Sequence, residues 1–567
     1  MKISISQILV ILLLFSSCKK RALSSFDTRE LQGVWSGLLF QTEAKYDSIA
    51  LLPVVLPQKA ILYQNGKENT YDLKKIGDQL TFKGEVGLRF DATFSKDTQS
   101  LYGVITDALW SQSLQFSKAE NKWVADIVKP EIIDTDYYVY LAFEEDTSGI
   151  LKAKIQSNKE NRVLHFTIDS VWIEGYDLYF NITNKRFEIS AKFDEVKKHL
   201  LLSYGNAGGK REVILTKLPP SHTAGYRPRS DQNYTYRVPA TVDASFETAT
   251  LEEVGINPSM LALMPAMNSG KYEHIHSILV TKDNKLVFEE YFHGYDREYL
   301  HDIRSSFKSI SSLLLGKAMM EDERIKINDP ILHYYPEYTI SDKDKQAITI
   351  HHALTMSTGL QLEDEDEMQW RNNDWVGYKL NLPMAYQPGE KYQYSSGGMN
   401  LLTGVLQKST EKYLPLFIYE AMLLPMDIRK FQMRTSPAGR AYLPGDFYLR
   451  PIDFTKFGLL VLNEGRWNDQ QLVSTEWISA STQPHIKSSW PKNADYGYLW
   501  RLLERNVGGK PMKTIEAWGN GGQFLIIIPE AKMTFTFTGG NYNLFPEMEE
   551  KPFEILEKYI LPAVEIE

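Results

Sequence analysis

The sequence holds a single cysteine, Cys18, so no internal disulfide can staple the chain. Beyond its first twenty residues it has no apolar run long enough to span a bilayer as a helix. A basic stripe is missing too. Its 63 Lys and Arg stand against 72 Asp and Glu, and the net charge of −9 is spread along the chain. That balance excludes an electrostatic nucleic-acid binder. Metal patterns are short of partners: His274-Ile275-His276 and His351-His352 have no evident third ligand, and a metal site needs three or four. The acidic run Glu363-Asp364-Glu365-Asp366-Glu367 lacks the glycine of a calcium loop and reads as a solvated loop at the rim of a cleft. No metal or organic cofactor is implied.

What is present describes a globular protein. Hydrophobic residues make up 43% and aromatics 12%, ample for a core. At 567 residues the chain exceeds what one core supports, so two or more domains are expected. It begins with Lys2, the apolar run Ile8-Leu9-Val10-Ile11-Leu12-Leu13-Leu14-Phe15 and the small pair Ser16-Ser17. This is the layout of an export signal, too short to be a comfortable span. With Cys18 next, it resembles a bacterial lipoprotein signal. The resemblance implies removal of residues 1–17, lipid attachment at Cys18 and a tether over 18–29. The expected location is exported and membrane-anchored, periplasmic or at the cell surface.

Residues 30–217 alternate with period two between short polar turns, as in Leu80-Thr81-Phe82, Val163-Leu164-His165-Phe166-Thr167-Ile168 and Val171-Trp172-Ile173. β-Branched and aromatic residues dominate and long helical stripes are missing, which predicts an all-β domain. The segment also repeats itself. Leu80-Thr81-Phe82 recurs as Leu178-Tyr179-Phe180, Phe94 as Phe193, Leu101 as Leu200 and Lys118 as Lys217. An offset of about 99 residues suits half a barrel or one sheet of a sandwich, two halves closing on each other to remove edges. The opening Leu31-Gln32-Gly33-Val34-Trp35-Ser36 resembles the G-x-W start of lipocalin-like barrels. That resemblance implies a pocket for a small apolar ligand; the plainer and preferred alternative is an accessory domain. Pro219-Pro220 and Ala224-Gly225-Tyr226-Arg227-Pro228-Arg229-Ser230-Asp231 lack apolar periodicity and place a linker over 218–247.

From 248 to 567 helical and strand patterns alternate, which predicts an α/β domain. Ile275–Val280 and Lys285–Glu290 flank Asp283-Asn284 as a hairpin. In the segment after His301, Phe307, Ile310, Leu314 and Ala318 recur at helical spacing. Ser305 falls near the N-terminus of that helix, with free backbone N–H groups around it. Lys308, three residues on, shares its face. A serine becomes nucleophilic when something takes its proton, and a desolvated lysine can do so. This is an S-x-x-K arrangement. The pattern alone decides little, because Ser16/Lys19, Ser17/Lys20, Ser409/Lys412 and Ser489/Lys492 match it too.

Other segments agree with it: Ile348-Thr349-Ile350-His351-His352-Ala353-Leu354-Thr355-Met356-Ser357-Thr358-Gly359-Leu360, Pro388-Gly389-Glu390-Lys391-Tyr392-Gln393-Tyr394-Ser395-Ser396-Gly397-Gly398 and Arg450-Pro451-Ile452-Asp453-Phe454-Thr455-Lys456-Phe457-Gly458. Together they resemble the serine β-lactamase and penicillin-binding protein superfamily, near its class C-like esterases, D-aminopeptidases and 6-aminohexanoate-dimer hydrolases. The implied fold is an antiparallel sheet flanked by helices, with a helical subdomain. Tyr394 matches the tyrosine of the family's Y-x-N loop, which implies an acid/base partner for Lys308. Ser396 stands where that loop has asparagine, and a hydroxyl has fewer donors and a shorter reach. For the third family element, Lys513-Thr514 fails because Ile515 replaces a glycine. Ala517-Trp518-Gly519-Asn520-Gly521-Gly522-Gln523 fits better, its glycines letting substrate lie against a strand. By the same resemblance the Ser305 and Asn520 amides form the oxyanion hole, and Ser396, Trp518, Gly519 and Gln523 line the substrate. Ala517 replaces a cation that meets a β-lactam carboxylate, with Trp518 offering an apolar wall.

The expectation is a multidomain lipoprotein that hydrolyses a small ester, amide or D-residue peptide through an acyl-enzyme on Ser305. A β-lactamase or penicillin-binding carboxypeptidase is one alternative. A ligand-binding lipoprotein with a vestigial hydrolase domain is another. Partners are a small-molecule or short-peptide substrate and the membrane through the lipid; the sequence leaves the oligomeric state open.

Overall fold

The computed structural model describes residues 27–40, 46–85, 87–95, 100–107, 109–127, 137–157, 168–182, 188–206, 209–219, 234–241, 246–293 and 295–566. The export signal, Cys18, most of the tether, residues 163–167 and most of the 218–247 linker lie outside them. The chain divides into two compact units, Met1–Gln41 with Asp136–Arg227 and Thr42–Thr135 with Pro228–Glu567. The front region, 30–217, contributes to both units.

In the first unit eight antiparallel strands form one sheet in the order Leu151–Ser157, Tyr137–Glu145, Gly33–Phe40, Gly209–Lys217, His199–Asn206, Glu188–Asp194, Asp177–Ile182, Ile168–Glu174. Its first and last strands lie side by side, so the sheet is a nearly closed barrel and exposes little edge. The G-x-W motif explains part of its core. Trp35 is 1% exposed, donates to the Leu31 carbonyl at 2.7 Å and meets Phe193 edge-on at 5.9 Å. Lys217 lies over its indole and donates to the Glu30 carbonyl. Trp35 and Phe193, with Phe143, Phe180, Leu200 and Leu202, fill the interior.

The sequence repeat is a structural one. Phe94 pairs with Leu101 and Leu80 with Ala92, as Phe193 pairs with Leu200 and Leu178 with Ala191. The two copies do not close on each other, however. The later copy closes with Gly33–Phe40 and the strands after it. The earlier copy, Gln79–Lys83 through Trp110–Gln115, belongs to the second unit and pairs onward with Gln432–Arg434, Phe447–Leu449 and His301–Asp302. An unpaired edge needs a partner, and Trp110–Gln115 finds one in a strand of the back half. Buried polar contacts fix the join: Thr106 and Ser111 hydroxyls meet the Tyr413 phenol at 2.5 and 3.2 Å, and the Arg89 guanidinium lies 3.9 Å over its ring.

The main sheet of the second unit runs in the order Glu247–Thr248, Lys285–Tyr291, Ile275–Lys282, Met533–Gly539, Gln523–Ile528, Lys510–Gly519, Arg501–Val507, Asp495–Tyr496, Ile486–Lys487. It is antiparallel except at the short first strand. Asp283 and Asn284 both have positive φ, the two-residue turn whose twist matches the strands it joins. Gln523–Ile528 and Met533–Gly539 are buried at every position because both faces are covered. Phe307–Glu321 and Pro451–Leu462 pack on one face, and Met260, Leu263, Leu556 and Ile560 on the other. The helix Phe307–Glu321 is buried from Phe307 to Ala318 around its whole circumference, well beyond the single apolar stripe its spacing predicts.

Candidate active site

The strand His301–Asp302 runs into a tight turn, Arg304–Ser306, before the helix Phe307–Glu321 begins. Arg304 has φ +51°, a left-handed conformation that costs an ordinary residue roughly 1–2 kcal/mol. Its surroundings hold it there. The Arg304 amide donates to Asp302 at 2.8 Å, and its guanidinium donates to Asp302 at 3.2 Å and Asp446 at 2.5 Å. Asp446 also accepts from Arg434, which is 2% exposed and reaches Gln369 at 2.8 Å. Ser305 is thereby fixed from the residue before it.

Lys308 is 2% exposed, and its ammonium donates to Ser305 Oγ at 2.9 Å and the Pro444 carbonyl at 2.8 Å. Pro444 begins a brace the sequence reading missed. Ser311 donates to the Leu443 carbonyl, and Gly445 packs against the Arg304 backbone. The Pro444-Gly445-Asp446 turn signal was visible, but nothing in it pointed to the nucleophile.

Tyr394 arrives from a loop, with the Lys308 ammonium 5.0 Å from its ring centre. The Arg501 guanidinium lies 5.5 Å from the same ring and 4.7 Å from that of Trp518. Burial pushes the phenol up, but the Lys308 and Arg501 cations and hydrogen bonds with Ser305 and Lys308 outweigh it. Tyr394 is held below the ordinary tyrosine value. Its neighbours Tyr392 and Tyr496, whose rings meet edge-on at 5.0 Å, are pushed up by burial. One phenol of the three is tuned toward the charged form.

A buried ion pair supports this loop. Ser395 caps the helix Ser396–Asn400, accepting from the Gly398 amide and donating to Glu363 at 2.7 Å. Glu363 also accepts from the Gly397 amide at 2.6 Å and from Lys379 at 2.7 Å, with the two side chains 3% and 0% exposed. Burial raises the Glu363 carboxyl, and Lys379 with the other donors more than reverses that. The first residue of the acidic run is therefore inside, which corrects its reading as a solvated loop. Ser396 is 7% exposed at the head of that helix.

On the facing strand Gly519 is required by proximity. A Cβ there would sit 2.5 Å from the Ile303 carbonyl oxygen and 3.1 Å from Ser306 Oγ, so only glycine lets strand and turn touch. Ser306 donates to the Gln523 carbonyl at 2.8 Å. Gly521 and Gly522 have φ of +95° and +91° and turn the chain back. Asn520 sits in this turn, its side chain exchanging hydrogen bonds with Asn543. Two residues expected to line the substrate face elsewhere. Gln523 is fully buried, donating to the Gly539 carbonyl at 2.6 Å and accepting from its amide at 3.1 Å, so it holds the turn. Trp518 is 6% exposed, donates to Glu516 and packs on Phe524 and Phe553, behind Arg501. Arg501 was not anticipated: it lies in no recognisable motif, and only strand pairing brings it beside Tyr394.

The histidine pairs form no metal cluster among the described residues. His276 and His301 are buried and hydrogen-bonded to each other at 2.8 Å.

Residues 276–552 match the Beta-lactamase family model. The back domain belongs to the serine β-lactamase and penicillin-binding protein superfamily. Among curated relatives, Protein flp of Staphylococcus aureus (strain NCTC 8325) is 25% identical over 165 residues, 26% of this chain and 33% of that protein. Penicillin-binding protein 4* of Bacillus subtilis is 21% identical over 266 residues, 39% of this chain and 57% of its own length. The chain thus spans about a third to somewhat over half the length of these relatives. A penicillin-binding protein structure from Bacillus halodurans aligns at a TM-score of 0.42 and 14% identity, covering 52% of this chain and 99% of its own.

Proposed function

We propose that this protein is a serine hydrolase that cleaves a small ester, amide or D-residue peptide through an acyl-enzyme on Ser305. The family supports hydrolase or penicillin-binding-protein-like activity in general. The observation that carries the finer reading is the Lys308 ammonium 2.9 Å from Ser305 Oγ and facing the Tyr394 ring. In this mechanism Tyr394, whose anionic form two neighbouring cations favour, takes the Ser305 proton as Oγ bonds to the substrate carbonyl carbon. The carbonyl π pair moves onto oxygen, where the Ser305 and Asn520 amides receive the charge. Collapse breaks the bond to the leaving alcohol or amine, which takes the proton from Tyr394. Water then repeats the sequence on the acyl-enzyme, Tyr394 accepting its proton and returning it to Ser305. Lys308 keeps the phenolate charged and orients Oγ throughout.

The test is a turnover screen of simple esters and D-aminoacyl amides with wild type and Ser305→Ala. Hydrolysis confined to the wild type supports the reading; equal hydrolysis by both sinks it. The name of the Bacillus subtilis relative favours a second reading, recognition of penicillins. A stable penicillin adduct on Ser305 in an intact-mass measurement selects it over the ester or amide reading.

A further inference from the structure

We propose that Arg501 is a positioning residue for the hydrolase reaction, its guanidinium held between Trp518 and Tyr394 so that it stabilises the negative charge on Tyr394 while that residue acts as base. The proposal rests on the hydrolase reading above and adds a residue to it. Position 517, where the family resemblance has a cation and this chain an alanine, is fully buried. The sheet supplies a cation from the neighbouring strand instead. Arg501 opens the strand Arg501–Val507 and pairs with Glu516 of Lys510–Gly519, one residue before Ala517.

The site is built. Arg501 is 9% exposed and donates to the Trp490 carbonyl at 3.4 Å. Its guanidinium lies 4.7 Å over the Trp518 indole and 5.5 Å from the Tyr394 ring, each within cation–π range. Trp518 is itself fixed by Glu516 and Phe553, so the arginine has a rigid floor. A buried guanidinium keeps its charge at every working pH, unlike an ammonium. The charged and titratable groups facing Tyr394 and Arg501 are Lys308 from the nucleophile-bearing helix, Tyr392 from the loop of Tyr394, Tyr496 from the adjoining strand and Glu549 from the helix Glu547–Ile555. Burial pushes Tyr392, Tyr496 and Glu549 toward their neutral forms. Lys308 and Arg501 therefore set the field at Tyr394. Lys308 must also orient Ser305, which leaves Arg501 free to act on the phenol alone.

The test is the rate at which a fluorophosphonate labels Ser305, followed by intact mass across pH in wild type, Arg501→Gln and Arg501→Lys. In Arg501→Gln the acid limb should move up by about one pH unit, with labelling at neutral pH about tenfold slower and recovering at high pH. Arg501→Lys keeps the charge and should leave the limb within about 0.3 unit of wild type. That variant decides the matter if Arg501→Gln fails to fold. A uniform loss across pH with the limb unmoved, in either variant, overturns the proposal, because a packing or substrate-binding role gives that result. So does a limb displaced about as far in Arg501→Lys as in Arg501→Gln. Wild type that is not labelled at any pH overturns the hydrolase reading itself, so the two failures are distinct.

Discussion

Lys308 is committed on two sides, to Ser305 Oγ and to the Pro444 carbonyl, and this makes its removal informative. Lys308→Met keeps the volume and removes the charge, so fluorophosphonate labelling should fall by roughly 10²–10⁴-fold while the melting temperature changes far less. A labelling rate within a few-fold of wild type contradicts its assigned role. On the proposed mechanism, Tyr394 should carry the pH dependence. Its folded value lies below that of a free tyrosine, so the phenolate persists to lower pH, and activity should be lost as pH falls through that value. Tyr394→Phe should lower the rate and abolish this limb in a pH–rate profile. Ser305, Lys308 and Tyr394 were legible as candidates because each sits in a short motif, and the structure brings the three together. Arg501, Asp446 and Glu363 were not, because strand pairing or a loop turned inward assembles them from distant segments.

Individual elements hold the site through buried polar contacts. The loop of Tyr394 depends on Ser395, Gly397 and Lys379 converging on Glu363. Glu363→Gln leaves Lys379 without its counter-charge inside the protein, at a cost of about 3–5 kcal/mol in denaturant unfolding. The Glu363 value is lowered in the folded state, so its contribution is present above the unfolded carboxyl value and is lost as pH falls through the folded one. The difference between wild type and Glu363→Gln should shrink in acid; a gap independent of pH contradicts this. The glycine of the facing strand, read from sequence as a place for substrate to lie, is needed first for contact with the Ile303 carbonyl. Periodicity predicts the hairpin around Asp283-Asn284 and the existence of the helix Phe307–Glu321, whose all-round burial from Phe307 to Ala318 reflects packing by elements far away in sequence.

At the scale of the whole molecule, the repeat predicts two similar β units, and both are present with equivalent strand pairings, though they do not close on each other. Sequence similarity between the copies could not reveal that they would take different partners. The earlier copy completes a sheet that ends in His301–Asp302, three residues before Ser305. A chain of residues 248–567 alone exposes the edge of Gln432–Arg434 and loses the contacts of Tyr413, so it should melt lower and aggregate in size-exclusion chromatography relative to the full chain. Equal stability contradicts an integral role for the front strands. The N-terminal motif makes a separate prediction: if Cys18 carries a lipid, Cys18→Ser should move the protein from the membrane fraction to the soluble one, followed by immunoblot of fractionated cells.

The measurement that bears most directly on the central claim is intact and peptide mass after fluorophosphonate treatment of wild type and Ser305→Ala. One adduct, mapped to Ser305, is expected on the wild type and none on the variant. An unlabelled wild type, or equal labelling of both, contradicts it.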